Sequence, residues 1–70
     1  MKFKEFIKNL DDDARICVYH SKDIGRDIFY FESPVKFWKD EDWNKIELNR
    51  DVVWFFRLSE KSFDVTLKDY

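Results

Sequence analysis

A chain of 70 residues has room for one small domain, and this one is lopsided: aromatic side chains make up 20% and charged ones 40%, with a formal net charge of −2. A single Gly excludes Gly-rich phosphate-cradling turns, and one Cys with one His completes neither a disulfide nor a structural zinc site within the chain.

Phe3, Phe6, Ile7 and Leu10 recur at i, i+3, i+4 and i+7, the stripe of an amphipathic helix, with Lys4 and Lys8 on the opposite face. The Asp11-Asp12-Asp13 run opposes the helix dipole and predicts a stop and a turn. A helix this short does not persist alone and must dock. Arg15 to His20 is rich in β-branched and aromatic residues and predicts a strand. Ser21 to Gly25 predicts a turn, with Gly25 at its positive-φ position, and Asp27 to Glu32 the returning strand.

Ser33-Pro34 predicts an N-cap followed by proline at the first helical position. A short helix follows, lined by Val35, Phe37, Trp38 and, where it runs past Asp40, Trp43, and Lys45 to Leu48 predicts a brief strand or an irregular link. Asp51 to Leu58 is a strong strand, Ser59 to Ser62 a loop, and Phe63 to Lys68 alternates apolar and polar with period two. The order is α-β-β-α-β-β. It predicts one compact α+β domain over residues 1–70, with a four-stranded, mostly antiparallel sheet of two hairpins and two short helices.

Three of the four strands are apolar on both sides, so either the helices cover both sheet faces or one face is left for a partner. Bulky rings are the bland answer for a short chain that needs a core, since each buries about 150–250 Å². The surplus falls in two places. Trp38, Asp40, Glu41, Asp42 and Trp43 combine aromatic anchors with carboxylates, the composition of a partner-binding hot spot. Tyr19, Phe29, Phe31 and Phe55 share the other predicted sheet face, an alternative surface for a ligand or for a second copy. With Arg15 or Arg26 neutralising phosphate, such rings would also suit a small nucleotide.

Chemical constellations are poor. Asp40, Asp42 and Asn44 open a calcium-loop spacing, but Lys45 stands where the turn needs Gly and Asp51 where a bidentate Glu is required. Asp11 to Asp13 are three consecutive side chains, which rarely converge on one ion. Cys17 and His20 lie three apart on a strand and point to opposite faces, so they form no nucleophilic pair. No nucleophile elbow surrounds any serine. The expectation is a non-enzymatic chain with no cofactor and no metal. Lys and Arg are interspersed with acids, so direct nucleic-acid binding is not expected either. No apolar run approaches 18 residues and Met1-Lys2-Phe3-Lys4-Glu5 lacks the apolar stretch of a secretion signal, which predicts a cytoplasmic setting without a membrane span.

The opening M-K-F-K-E-F-I-K-N-L-D-D-D-A-R-I-C-V-Y and the later D-E-D-W-N-K-I-E-L-N-R-D-V-V-W-F resemble small phage and mobile-element proteins of low-GC Gram-positive bacteria. The resemblance spans nearly the whole chain in layout and brings no catalytic residues. It implies an accessory or anti-defence factor of the anti-CRISPR kind that occludes a host protein.

Overall fold

The computed structural model describes residues 1–23 and 26–69. Seven elements follow in chain order: α1 (Phe3–Ile7), β1 (Arg15–Asp23), β2 (Arg26–Pro34), α2 (Val35–Trp38), α3 (Glu41–Leu48), β3 (Val52–Ser59) and β4 (Ser62–Lys68). The class is α+β with one four-stranded sheet in the order β2-β1-β4-β3. Both hairpins form, yet they join through a parallel pair, β1 with β4, so the sheet is mixed. Among the described residues, three helices replace the two expected.

The middle of the chain accounts for the extra helix. Lys45 to Leu48, expected as a strand or link, are the last residues of α3. Asp40 caps that helix, its Oδ1 accepting the Asp42 N–H at 3.0 Å. Asn44 departs from helical geometry (φ −115°, ψ 22°), and its amide donates to the Trp38 carbonyl at 2.7 Å, tying α3 to α2. Ser33 and Pro34 close β2 rather than open a helix, and α2 starts at Val35. Lys2 N–H donates to the Glu5 carboxylate at 3.0 Å at the head of α1, which stops after Ile7. Ser21 to Asp23 continue β1, and the expected turn glycine, Gly25, lies outside the described residues.

All three helices contribute to a single core. Phe3, Ile7, Val35, Trp38 and Leu48 pack with Ile16 and Val18 of β1 and with Val65 and Leu67 of β4, all buried. Phe6, Leu10, Phe31, Val52 and Phe63 close its margin. The helix stripe read from Phe3, Phe6, Ile7 and Leu10 thus does face the sheet. Burying aliphatic and aromatic surface at roughly 25 cal/mol per Å² is the main force available to a chain this small. Trp38 lies at the centre, its ring stacked on Phe31 at 4.5 Å and its indole N–H donating to the Ser33 carbonyl at 3.1 Å.

Two bulges set which rings meet the core. One is Tyr30 of β2, the extra residue opposite the Val18–Tyr19 step of β1, and the other is Val53 of β3, between Val52 and Trp54; further register shifts fall at Ser21/Asp23 and Arg57/Ser59. An extra residue in one strand moves the following side chains to the other face. Phe31 therefore pairs with Val18 on the helix side, while Phe29 pairs with Tyr19 on the opposite side. Phe55 pairs with Val65 and meets Phe6 at 4.9 Å, again on the helix side. The expected face of Tyr19, Phe29, Phe31 and Phe55 is thus split: the first two remain together, Phe31 packs against the core, and Phe55 lies on the helix side with about half its surface still exposed.

Candidate interaction surfaces

The sheet face away from the helices is the larger candidate. Directly opposed residues run across all four strands in one row, Phe29, Tyr19, Thr66 and Trp54. The neighbouring row is Glu32, Cys17, Asp64 and Phe56. The edges of this face are open, with Phe29 54% and Phe56 60% exposed, and Trp54 and Leu58 are exposed as well. Its centre is shielded by its own rings, and Thr66 is fully buried between Tyr19 and Trp54. Tyr19 and Phe29 meet edge to face at 5.5 Å. An apolar surface of this kind, left uncovered by any helix, is what interaction sites expose.

The second row is acidic and controls the cysteine. Cys17 Sγ donates to Glu32 at 3.4 Å, and Arg15 holds the other oxygen of that carboxylate at 3.2 Å. Burial, with Glu32 and then Asp64 close by, pushes the Cys17 thiol up to about 11. The hydrogen bond from Arg15 is the main cause that holds Glu32 below its ordinary value. A thiol kept protonated is a poor nucleophile and a poor metal ligand. His20 lies on the helix side, so Cys17 and His20 do point apart, as their spacing predicts.

The second surface is the α2–α3 junction. Trp38, expected there as an anchor, is 0% exposed and belongs to the core, so it leaves the surface set. Trp43 is 40% exposed, lies on Phe37 at 4.3 Å and donates its indole N–H to the Phe37 carbonyl at 3.0 Å. Asp40, Glu41 and Asp42 are exposed beside it, and Asp40 is occupied as the helix cap. The patch is smaller than the sheet face, and its indole is already hydrogen-bonded.

Sequence reasoning missed a third cluster. Glu47, buried on α3, takes His20 at 3.0 Å and Arg50 at 2.6 Å. Arg50 also donates to the Lys68 carbonyl at 3.0 Å, and Lys22 reaches Asp69 at 2.7 Å. The His20 ring stacks on Tyr30 at 4.8 Å. These contacts pin α3 to the β1 and β4 ends of the sheet. Nothing in the local sequence marked Glu47, because its partners come from distant segments. A small cleft of about 210 Å³ beside it is lined by Tyr30, Trp43, Asn44, Ile46, Glu47 and Arg50. It is below the usual size of a ligand pocket.

The nucleotide arrangement is not assembled. Phe31 lies across the sheet from Tyr19 and Phe29, and Arg15 is engaged by Glu32. The Arg26 side chain lies outside the described residues. Among the described residues no three His, Cys, Asp or Glu side chains cluster to hold a metal ion, and no helix is long and apolar enough to cross a membrane. Asp12 and Asp13 point to Lys39 and Lys61, each at 3.0 Å, rather than to each other. Comparison with protein-family models, curated proteins and solved structures finds no match.

Proposed function

We propose that this chain is a non-enzymatic binding module that docks a partner protein on its uncovered sheet face. One observation carries the reading. Phe29, Tyr19, Trp54 and Phe56 line a face that no helix covers, in a chain whose core is already filled by other rings. Glu32 and Asp64 beside the aromatic row favour a partner with an apolar centre and basic flanks. The same carboxylates disfavour a phosphate backbone, which supports a protein over a nucleic acid. The protonated Cys17 thiol and the engaged His20 support binding over catalysis. The resemblance to phage accessory proteins adds a class of partner, a host defence protein such as a CRISPR effector, met in the host cytoplasm.

The experiment compares three tagged chains as baits in a Gram-positive host lysate: unaltered, Tyr19→Ser/Phe29→Ser, and Trp43→Ser. Retained partners should be lost from the sheet-face variant and kept by the Trp43 variant, with all three melting cooperatively. Retention of the same partners by the sheet-face variant refutes this docking surface. Loss only from Trp43→Ser moves the site to the α2–α3 junction.

A further inference from the structure

We infer that the uncovered sheet face receives an arginine side chain of the partner protein, its guanidinium held by Asp64 beside the rings of Tyr19 and Trp54. This deepens the docking-face reading and rests on it, naming the group the partner inserts and the carboxylate that takes it.

Asp64 lies on β4, an inner strand, with Cys17 of β1 directly opposite on one side and Phe56 of β3 on the other. Two residues along β4, on the same face, Thr66 stands between Tyr19 and Trp54. Three rings therefore frame the acid. Asp64 is half-buried, and no ion pair among the described residues reaches it. Glu32, the other acid of this face, is already held by Arg15 at 3.2 Å. Arg57 donates to the Ser59 and Glu60 carbonyls, and Lys61 pairs with Asp13. The Cys17 thiol is a weak donor and meets Glu32 at 3.4 Å. A half-buried carboxylate without a cation costs stability, and an incoming cation removes that cost.

A second, independent feature lies in the same frame. The Thr66 hydroxyl is buried and bonds to no group of the protein. Leaving such a group unpaired is also unfavourable. Trp54, beside it, is 43% exposed and has open space to turn into.

Charge and rings together select a flat cation. A guanidinium can grip a carboxylate with two N–H groups while stacking on an aromatic ring, and an ammonium does neither. With two N–H groups on Asp64, a third reaches the Thr66 hydroxyl once Trp54 turns aside, and the Tyr19 and Trp54 rings contribute cation–π attraction. An anionic ligand would meet Asp64 and Glu32 together. A neutral one would leave Asp64 uncompensated.

NMR titration of the isotope-labelled chain tests this, with the peptide acetyl-Gly-Leu-Arg-Leu-Gly-amide as probe. Shifts should concentrate on the Asp64 and Thr66 amides and the Trp54 indole N–H. The same peptide with citrulline for arginine, uncharged but of equal shape, should bind at least about tenfold more weakly, and the lysine peptide should also bind more weakly. Asp64→Asn should lose the arginine preference, and Thr66→Val should weaken it. Asp42→Asn, which removes an equal charge elsewhere, should leave it unchanged. Equal binding of the arginine peptide and either control peptide overturns the inference on the unaltered chain, whatever the variants do. So does full affinity in Asp64→Asn or Thr66→Val, or an equal loss in Asp42→Asn, which means general charge attraction. Movement of the same resonances on dilution without peptide also overturns it, because a second copy then occupies the face. Asp64→Asn as a further bait separates the two readings. Partners kept by it but lost from Tyr19→Ser/Phe29→Ser overturn the arginine and leave the docking face standing.

Discussion

Replacing Trp38 by alanine should cost most of the stability of this fold. The ring is fully buried, stacks on Phe31 at 4.5 Å, meets Phe3 edge to face at 5.7 Å and lies 5.9 Å from Trp43. Removing a core Trp typically costs about 3–5 kcal/mol through lost transfer and the cavity left behind. The Ser33 carbonyl also loses its donor, which adds about 1 kcal/mol. A chain of 70 residues holds only about 3.5–10 kcal/mol in total, at 0.05–0.15 kcal/mol per residue. At roughly 4–8 °C per kcal/mol, Trp38→Ala should lower Tm by about 15 °C or more, or leave no cooperative melt. Trp43→Ala, with its ring partly in solvent, should cost about 1–2 kcal/mol. Thermal melts followed by near-ultraviolet circular dichroism measure both. A Trp38→Ala melt within about 5 °C of the unaltered chain refutes the core placement, as does a larger loss from Trp43→Ala.

Glu47→Ala should destabilise the domain by about 2–4 kcal/mol in urea titrations, because it strips His20 and Arg50 of their buried acceptor. Cys17 should alkylate far more slowly with iodoacetamide at pH 8 than the urea-unfolded chain does, followed by mass spectrometry, since its thiol is pushed up to about 11. Glu32→Gln removes one cause of that rise and should speed the reaction. Asp13, Glu32 and Asp69 titrate below their ordinary values of 3.8, 4.5 and 3.8, held chiefly by hydrogen bonds from Lys61, Arg15 and Lys22. Depressed carboxylates stabilise the fold above those values, and that stabilisation is lost as pH falls through the lower folded ones. Tm should therefore hold from pH 7 to about 5 and fall below pH 4, and an unchanged melt at pH 3 would contradict these pairings.

The strands and the first helix were legible in the sequence because their side-chain periods are strong. Ile16 and Val18 face the same core as Val65 and Leu67, as alternation requires. The bulges were not legible. No glycine marks the kinks at Val18/Tyr19 and Val52/Trp54, so counting by twos put Phe31 and Phe55 on the wrong face. For the same reason Trp54 and Phe56 were missing from the expected surface. The middle helix was hidden because Asn44 interrupts it and only Glu47 and Leu48 of its last turn are buried. The fate of Trp38 was decided by Phe31 and Phe3, partners that no local window contains.

The parallel pairing of β1 with β4 has a kinetic consequence. Ile16 sits opposite Phe63, and Ser21 opposite Lys68, so the middle of the sheet is sewn from the two ends of the chain. Each hairpin can close locally within microseconds, but neither has a finished core of its own. The step that seals the molecule must bring together two ribbons separated by the entire helical crossover, and it sets the pace of folding. Until the last strand is synthesised, a ribosome-bound chain holds an aromatic hairpin with both faces wet. Removing residues 62–69 should therefore leave one sticky ribbon, β1 with β2, and an unpaired β3 rather than a shortened sheet.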